Sequence, residues 1–146
     1  MNPFYHGNPV KYTHFLGRKK ELRRTSQRIC SGQSSAIIGE PRTGKTSVLL
    51  YLATSENQNH LYGEEATPKR FFSYLDALAF DNDINQTEFW ILAFSPLFST
   101  MIEPNPESKL AKLYQNSQAH EFDHHSLGLL LDELNNQNYH LIVLVD

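Results

Sequence analysis

Cysteine is almost missing from this chain. Its 146 residues contain one, Cys30, so no disulfide within the chain and no cysteine-built metal site can form. That usage fits a reducing compartment. Long apolar runs are missing too. Nothing approaches the roughly 20 residues that span a bilayer, and the opening MNPFYHGNPVKY has no apolar stretch for a secretory signal. The chain therefore reads as cytoplasmic, with no membrane partner. A positive balance is lacking as well. The formal net charge is −3, which does not describe a chain that is basic throughout for nucleic acid. The distribution is uneven, however. Residues 11–45 hold nine basic and two acidic side chains, net +7, while the remainder holds four and fourteen, net −10. A basic front part suits an anionic ligand such as a polyphosphate, or is simply a solvated helix face.

What is present is apolar patterning, 40 % of residues, enough for one globular domain. Pro3, Gly7 and Pro9 make residues 1–14 an extended arm. After FLGR, residues 15–18, Leu22, Ser26, Ile29 and Cys30 recur at helical spacing, and Gly32 is a natural C-terminal cap. SSAII, residues 34–38, reads as a short buried strand, GEPRTGKT as a loop, SVLLYLAT as a helix and SENQNHLYGEEATPK as a polar surface excursion. RFFSYLDA, residues 70–77, reads as a second strand. Its Asp76 either caps the following turn or adds a polar group at a ligand-facing sheet edge. TEFWILAFSPLF begins as a helix with Thr87 as its N-cap and Pro96 as its interruption. A proline-marked stretch with a short helix follows. An amphipathic helix from Ser126 ends in an asparagine-rich turn, and YHLIVLVD is the last strand. Strands alternating with helices predict an α/β chain with a parallel sheet.

The chemistry concentrates in IIGEPRTGKTS. It matches G-x-x-x-x-G-K-[ST], with Gly39, Gly44, Lys45 and Thr46 at the fixed places and Glu40, Pro41, Arg42, Thr43 and Ser47 completing the loop. From average residue usage the pattern arises by chance in roughly one chain in 200 of this length. A predicted strand precedes it and a predicted helix follows, as the phosphate-binding loop requires. Glycines let the backbone wrap a phosphate without Cβ clashes, and the N–H groups and helix N-terminus supply positive potential. Lys45 would reach the β- and γ-phosphates, and the Thr46 hydroxyl would reach Mg²⁺. LIVLVD, an apolar strand closed by Asp146, then fits the second half of such a site, the Walker B strand of residues 140–146, whose acid supports Mg²⁺. The alternative is a core strand that happens to end on an acid. In many such ATPases a second acid follows at once, so the chain reads as the front part of a longer ATPase.

Other patterns are weighed beside it. HEFDH, residues 120–124, matches the zinc-protease pattern H-E-x-x-H, but Asp123 reads as an N-cap, which would break the match across a loop and a helix. RKKELRR, residues 18–24, could meet nucleic-acid phosphates, though a solvated helix face is favoured. Phe89 and Trp90 read as core.

Taken together, NPFYHGNPV, HFLGRKKEL, IIGEPRTGKTSVLLYL, FFSYLD and LIVLVD resemble the bacterial STAND-type ATPases, relatives of AAA+ and NACHT proteins. The likeness implies a P-loop NTPase three-layer α/β/α sandwich with a parallel sheet of order 5-1-4-3-2. Residues 15–146 would form a partial domain, truncated after the Walker B strand and short of its central fourth strand. It implies ATP or ADP with Mg²⁺ as ligands, and places Phe15, Leu16 and Arg18 near the base end of the nucleotide. It also implies a nucleotide-gated switch that hydrolyses ATP slowly in its full-length parent and oligomerises through parts beyond this chain. A nucleotide-dependent assembly module without turnover, a DNA-associated initiator-type AAA+ ATPase and a P-loop small-molecule kinase stay open as alternatives.

Overall fold

The computed structural model describes residues 18–40, 43–54, 57, 61–63, 69–80 and 82–146. The expected arm lies outside the described residues, as do Phe15, Leu16, Pro41 and Arg42. The chain divides into two compact units, Met1–Ala66 and Thr67–Asp146.

In the first unit the predicted basic helix forms as α1, Lys19–Cys30, burying Leu22 and Ser26. It ends as its sequence indicates. The N–H of Gln33 donates to Arg28 O at 2.9 Å and that of Gly32 to Ile29 O at 3.1 Å, the pair of bonds that closes a helix through a left-handed residue. Helix α2, Lys45–Ala53, buries Val48, Tyr51 and Leu52. Asn57, which the sequence places in a surface excursion, is buried; its side-chain amide donates to Tyr51 O at 3.2 Å.

The second unit holds the sheet. Strands β1, Lys69–Leu75, and β2, Tyr139–Val145, pair in parallel in the register Phe71↔Leu141 to Leu75↔Val145. Three helices fill the crossover between them: α3, Gln86–Leu97; α4, Lys109–Ala119; and α5, His124–Asn136. Alternation puts Phe71, Ser73 and Leu75 on the buried face of β1. Phe71 joins Phe94, Leu97, Tyr114, Phe122 and Leu130 in the main core. Phe94 stacks on Phe122 at 6.0 Å between centroids and meets Tyr114 edge-on at 5.9 Å.

Two details of α3 depart from the sequence reading. Its N-cap is Asn85, not Thr87: Asn85 accepts from Glu88 N–H at 2.9 Å, and Glu88 returns the bond to Asn85 N–H at 3.1 Å, a reciprocal capping box. Pro96 does not interrupt the helix at once. It sits inside α3, which runs on to Leu97 and widens into a π-helical turn, Phe98–Ile102. Proline brings no N–H for the carbonyl four residues back, which is Leu92 O. The Ser73 hydroxyl of β1 donates to that carbonyl at 3.3 Å.

The expected three-layer sandwich is not what folds. The described residues are mostly helical, with one sheet of two short parallel strands. Residues 34–38, expected as a buried strand, carry no strand assignment, and Ile38 is 92 % exposed. A strand needs partners for its backbone N–H and C=O groups, and these five residues could announce only a suitable composition. The bulk of the structure is instead carried by helices whose caps are local.

Candidate phosphate-binding site

The described residues of the pattern, 39, 40 and 43–46, are joined by short-range bonds. Gly44 stands as the N-cap of α2 with φ +85° and ψ 19°. That left-handed angle is open to glycine and strained for other residues, so the chain turns there directly into a helix. Gly39 is needed for a different reason. A Cβ on it would stand 3.0 Å from Thr43 Oγ1, crowding a hydroxyl that donates to Glu40 O at 2.7 Å. Lys45 then bends back across the loop. Its Nζ donates to Gly39 O at 2.8 Å and to Glu40 O at 2.6 Å. These are charge-assisted bonds, and the carbonyls are acceptors that phosphate oxygens can replace. Thr46 and Ser47 follow in the first turn of α2, where N–H groups have no intrahelical acceptor and the helix dipole is positive.

Arg18 is brought to the same place. Its guanidinium pairs with Glu21 at 3.0 Å, and its Nε lies 3.9 Å from where a Cβ on Gly44 would stand. Sequence spacing gave no sign of that approach. The neighbouring bases Lys19, Lys20, Arg23 and Arg24 are exposed on α1, the solvated face that was favoured for them.

Asp146 belongs to the second unit. It extends the ladder beyond β2: its N–H donates to Leu75 O at 2.9 Å, and its carbonyl accepts from Ala77 N–H at 2.8 Å. Its carboxylate Oδ2 accepts from the Tyr74 hydroxyl at 2.7 Å. Burial first, then this bond and the charges of Asp146 and Asp76, push the Tyr74 hydroxyl up to about 12. Tyr74 therefore remains a protonated donor at neutral pH. The sequence reading passed over Tyr74. Its signal lay in the register: Tyr74 is opposite Leu144, and Asp146 falls two residues on along the same face. Asp76 takes the capping alternative, accepting from Leu78 N–H at 2.9 Å.

The Thr46 hydroxyl in the first unit and, separately, the Asp146 carboxylate in the second are hard oxygen donors of the kind Mg²⁺ takes. The zinc-like pattern does not assemble. His120 caps the end of α4, Glu121 and Phe122 have φ of 54° and 51°, and α5 starts only at His124. Asp123 caps α5 by accepting from Ser126 N–H at 2.8 Å, the role its position predicts. Among the described residues no group of three His, Cys, Asp or Glu side chains could hold a metal ion. Trp90 packs against the core, and Phe89 meets it edge-on at 5.3 Å. No described helix is long and apolar enough to cross a membrane.

Comparison with protein-family models, with curated proteins and with solved structures finds no match to this chain.

Proposed function

We propose that this chain is the nucleotide-binding part of a P-loop ATPase of the STAND or AAA-related kind, a nucleotide-gated switch that takes ATP or ADP with Mg²⁺ and turns it over slowly. The observation that supports this reading is the loop itself. Gly44 of the G-x-x-x-x-G-K-[ST] pattern is the left-handed N-cap of α2, and the Lys45 ammonium donates to the carbonyls of Gly39 and Glu40.

On binding, Lys45 would exchange the carbonyls of Gly39 and Glu40 for oxygens of the β- and γ-phosphates. The first-turn N–H groups of α2 would take the remaining negative charge. Mg²⁺ taken by the Thr46 hydroxyl would neutralise charge on the same phosphates. Catalysis of this type is mostly positioning and electrostatic stabilisation.

The test is calorimetric titration of Mg²⁺-ATP into the folded chain and its Lys45→Ala variant, with circular dichroism confirming that both are folded. Lys45→Ala is expected to weaken binding about 10- to 100-fold, the scale of a lost charged hydrogen-bonding group. A folded wild-type chain that does not bind, or a variant that binds equally well, would overturn the reading.

A further inference from the structure

We propose that Arg18 is a specificity-determining residue of the phosphate-binding loop: its guanidinium serves the polyphosphate of the ligand rather than the base, and Glu21 holds it until a phosphate arrives. The inference rests on the nucleotide-binding reading above. It lies within one unit, since Arg18, Glu21, Gly44 and Lys45 all belong to Met1–Ala66.

The first observation is what Arg18 does not do. It is the N-cap of α1, and its carbonyl accepts from Leu22 N–H at 3.0 Å. Caps at that place are residues whose side chains accept a hydrogen bond, and arginine has only donors. Its side chain makes no capping bond. The backbone serves the helix and the guanidinium is directed elsewhere.

The second observation is where it goes. Nε lies 3.9 Å from the place a Cβ on Gly44 would take. Gly44 opens α2, and Lys45 beside it folds over the carbonyls of Gly39 and Glu40. The guanidinium therefore stands where the loop becomes a helix, the end that receives phosphate in such sites. Glycine puts no side chain between the two. The family likeness places Arg18 near the base, but a fixed positive charge gains most against an anion. Its planar fork also matches two phosphate oxygens at once.

The third observation is the present partner. Nη1 pairs with Glu21 at 3.0 Å, and the two side chains are 25 % and 57 % exposed. An ion pair so open to water is weak. A polyphosphate carries more charge and more acceptors than one carboxylate, so it displaces Glu21.

Inorganic tripolyphosphate has the phosphates and no base, so it separates the two ends. Its affinity is measured by competition with ATP, beside direct titration of ATP, with circular dichroism checking each fold. Arg18→Gln is expected to weaken both ligands alike, about 10-fold, as loss of a charged hydrogen-bonding group does. Lys20 is an exposed base on the same helix. Lys20→Gln should cost less than about 2-fold at physiological salt, because a screened charge acts weakly at a distance. Glu21→Gln releases Arg18 and is expected to tighten both ligands about 2- to 5-fold, the scale of an exposed pair.

If Arg18→Gln weakens ATP and spares tripolyphosphate, the guanidinium serves the base end, and this inference is overturned while the nucleotide reading stands. Affinities that stay unchanged, or that fall no further than in Lys20→Gln, overturn it as well. Should Arg18→Gln not fold, Glu21→Gln decides, and no gain for either ligand overturns the inference. A wild-type chain that binds ATP but not tripolyphosphate also overturns it, since the base would then supply the affinity. A folded wild-type chain that binds no ATP overturns the nucleotide reading and this inference with it.

Discussion

The two ends of the candidate chemistry are held in opposite ways. Around Lys45 the bonds of the described loop residues are local: the ammonium reaches acceptors six and five residues back, and Thr43 reaches one three residues back. Asp146 is held from far away in the chain. Its carboxylate partner, Tyr74, is 72 residues distant, and its backbone partners are Leu75 and Ala77. The first arrangement needs only a short sequence with glycines in the right places. The second exists only if β1 and β2 find each other, which requires the helices between them to pack. Local bonds cost little loop-closure entropy, whereas a distant pair must be supported by a core.

The largest expected effect tests that support. Phe94 is fully buried and meets Phe122, Tyr114 and Trp90. Phe94→Ala is expected to cost about 3–5 kcal/mol, a large part of what stabilises an ordinary domain. Chemical denaturation gives the total, and hydrogen exchange of the β1 and β2 amides shows whether the strand pair goes with it. A cost under about 1 kcal/mol would mean that the aromatic cluster is not what keeps the strands together.

A smaller effect sharpens the same point at one bond. Ser73 donates to the Leu92 carbonyl that Pro96 cannot serve. Ser73→Ala is expected to cost about 0.5–1.5 kcal/mol, the net contribution of a typical hydrogen bond. In a Pro96→Ala background the helix regains an N–H for that carbonyl, so the same substitution should cost less. Equal costs in the two backgrounds would remove Pro96 from the account.

Smaller still is a pH effect at a local cap. Hydrogen bonds from Ser126, its hydroxyl and then its N–H, hold the Asp123 carboxyl below its ordinary 3.8. A carboxyl with a depressed folded pKa stabilises fully above its unfolded value, and that contribution is lost as pH falls through the folded value. Helix α5 should therefore fray at its start in acid. Asp123→Asn keeps a good N-cap without a titrating group, so its helical circular dichroism should lose that acid-dependent component. An unchanged acid profile would assign the fraying to another group.

The same division decides how much could be read from the sequence. Helix α1 with its Gly32 ending, the Asp123 and Asp76 caps and both strands of the sheet were legible, because periodicity and capping act within a few residues. The Asn85–Glu88 box was legible too, since N-x-x-E before an apolar run is its signature. Thr87 drew attention away from it. Tyr74 against Asp146 and Ser73 against Leu92 were not legible, because each is made by a register or a packing that no local pattern announces. Arg18 beside Gly44 is of the same kind. Residues 34–38 failed in the other direction: two serines, an alanine and two isoleucines have the composition of a buried strand, but composition does not supply a partner.

That last point has its own test, and the expected effect is close to zero. Ile38 is 92 % exposed, so Ile38→Ser should change stability by no more than about 0.5 kcal/mol in chemical denaturation, as substitutions at open surface do. A buried strand position would behave differently. Removing most of an isoleucine from a core costs about 2–5 kcal/mol, and the serine hydroxyl would add the cost of burying a polar group without a partner. The two expectations differ several-fold, well beyond the error of extrapolated denaturation. A near-zero result keeps residues 34–38 as a solvated lead into the phosphate-binding loop. A loss of several kcal/mol would mean that the loop, like Asp146, is held from a distance, and the contrast between the two would disappear.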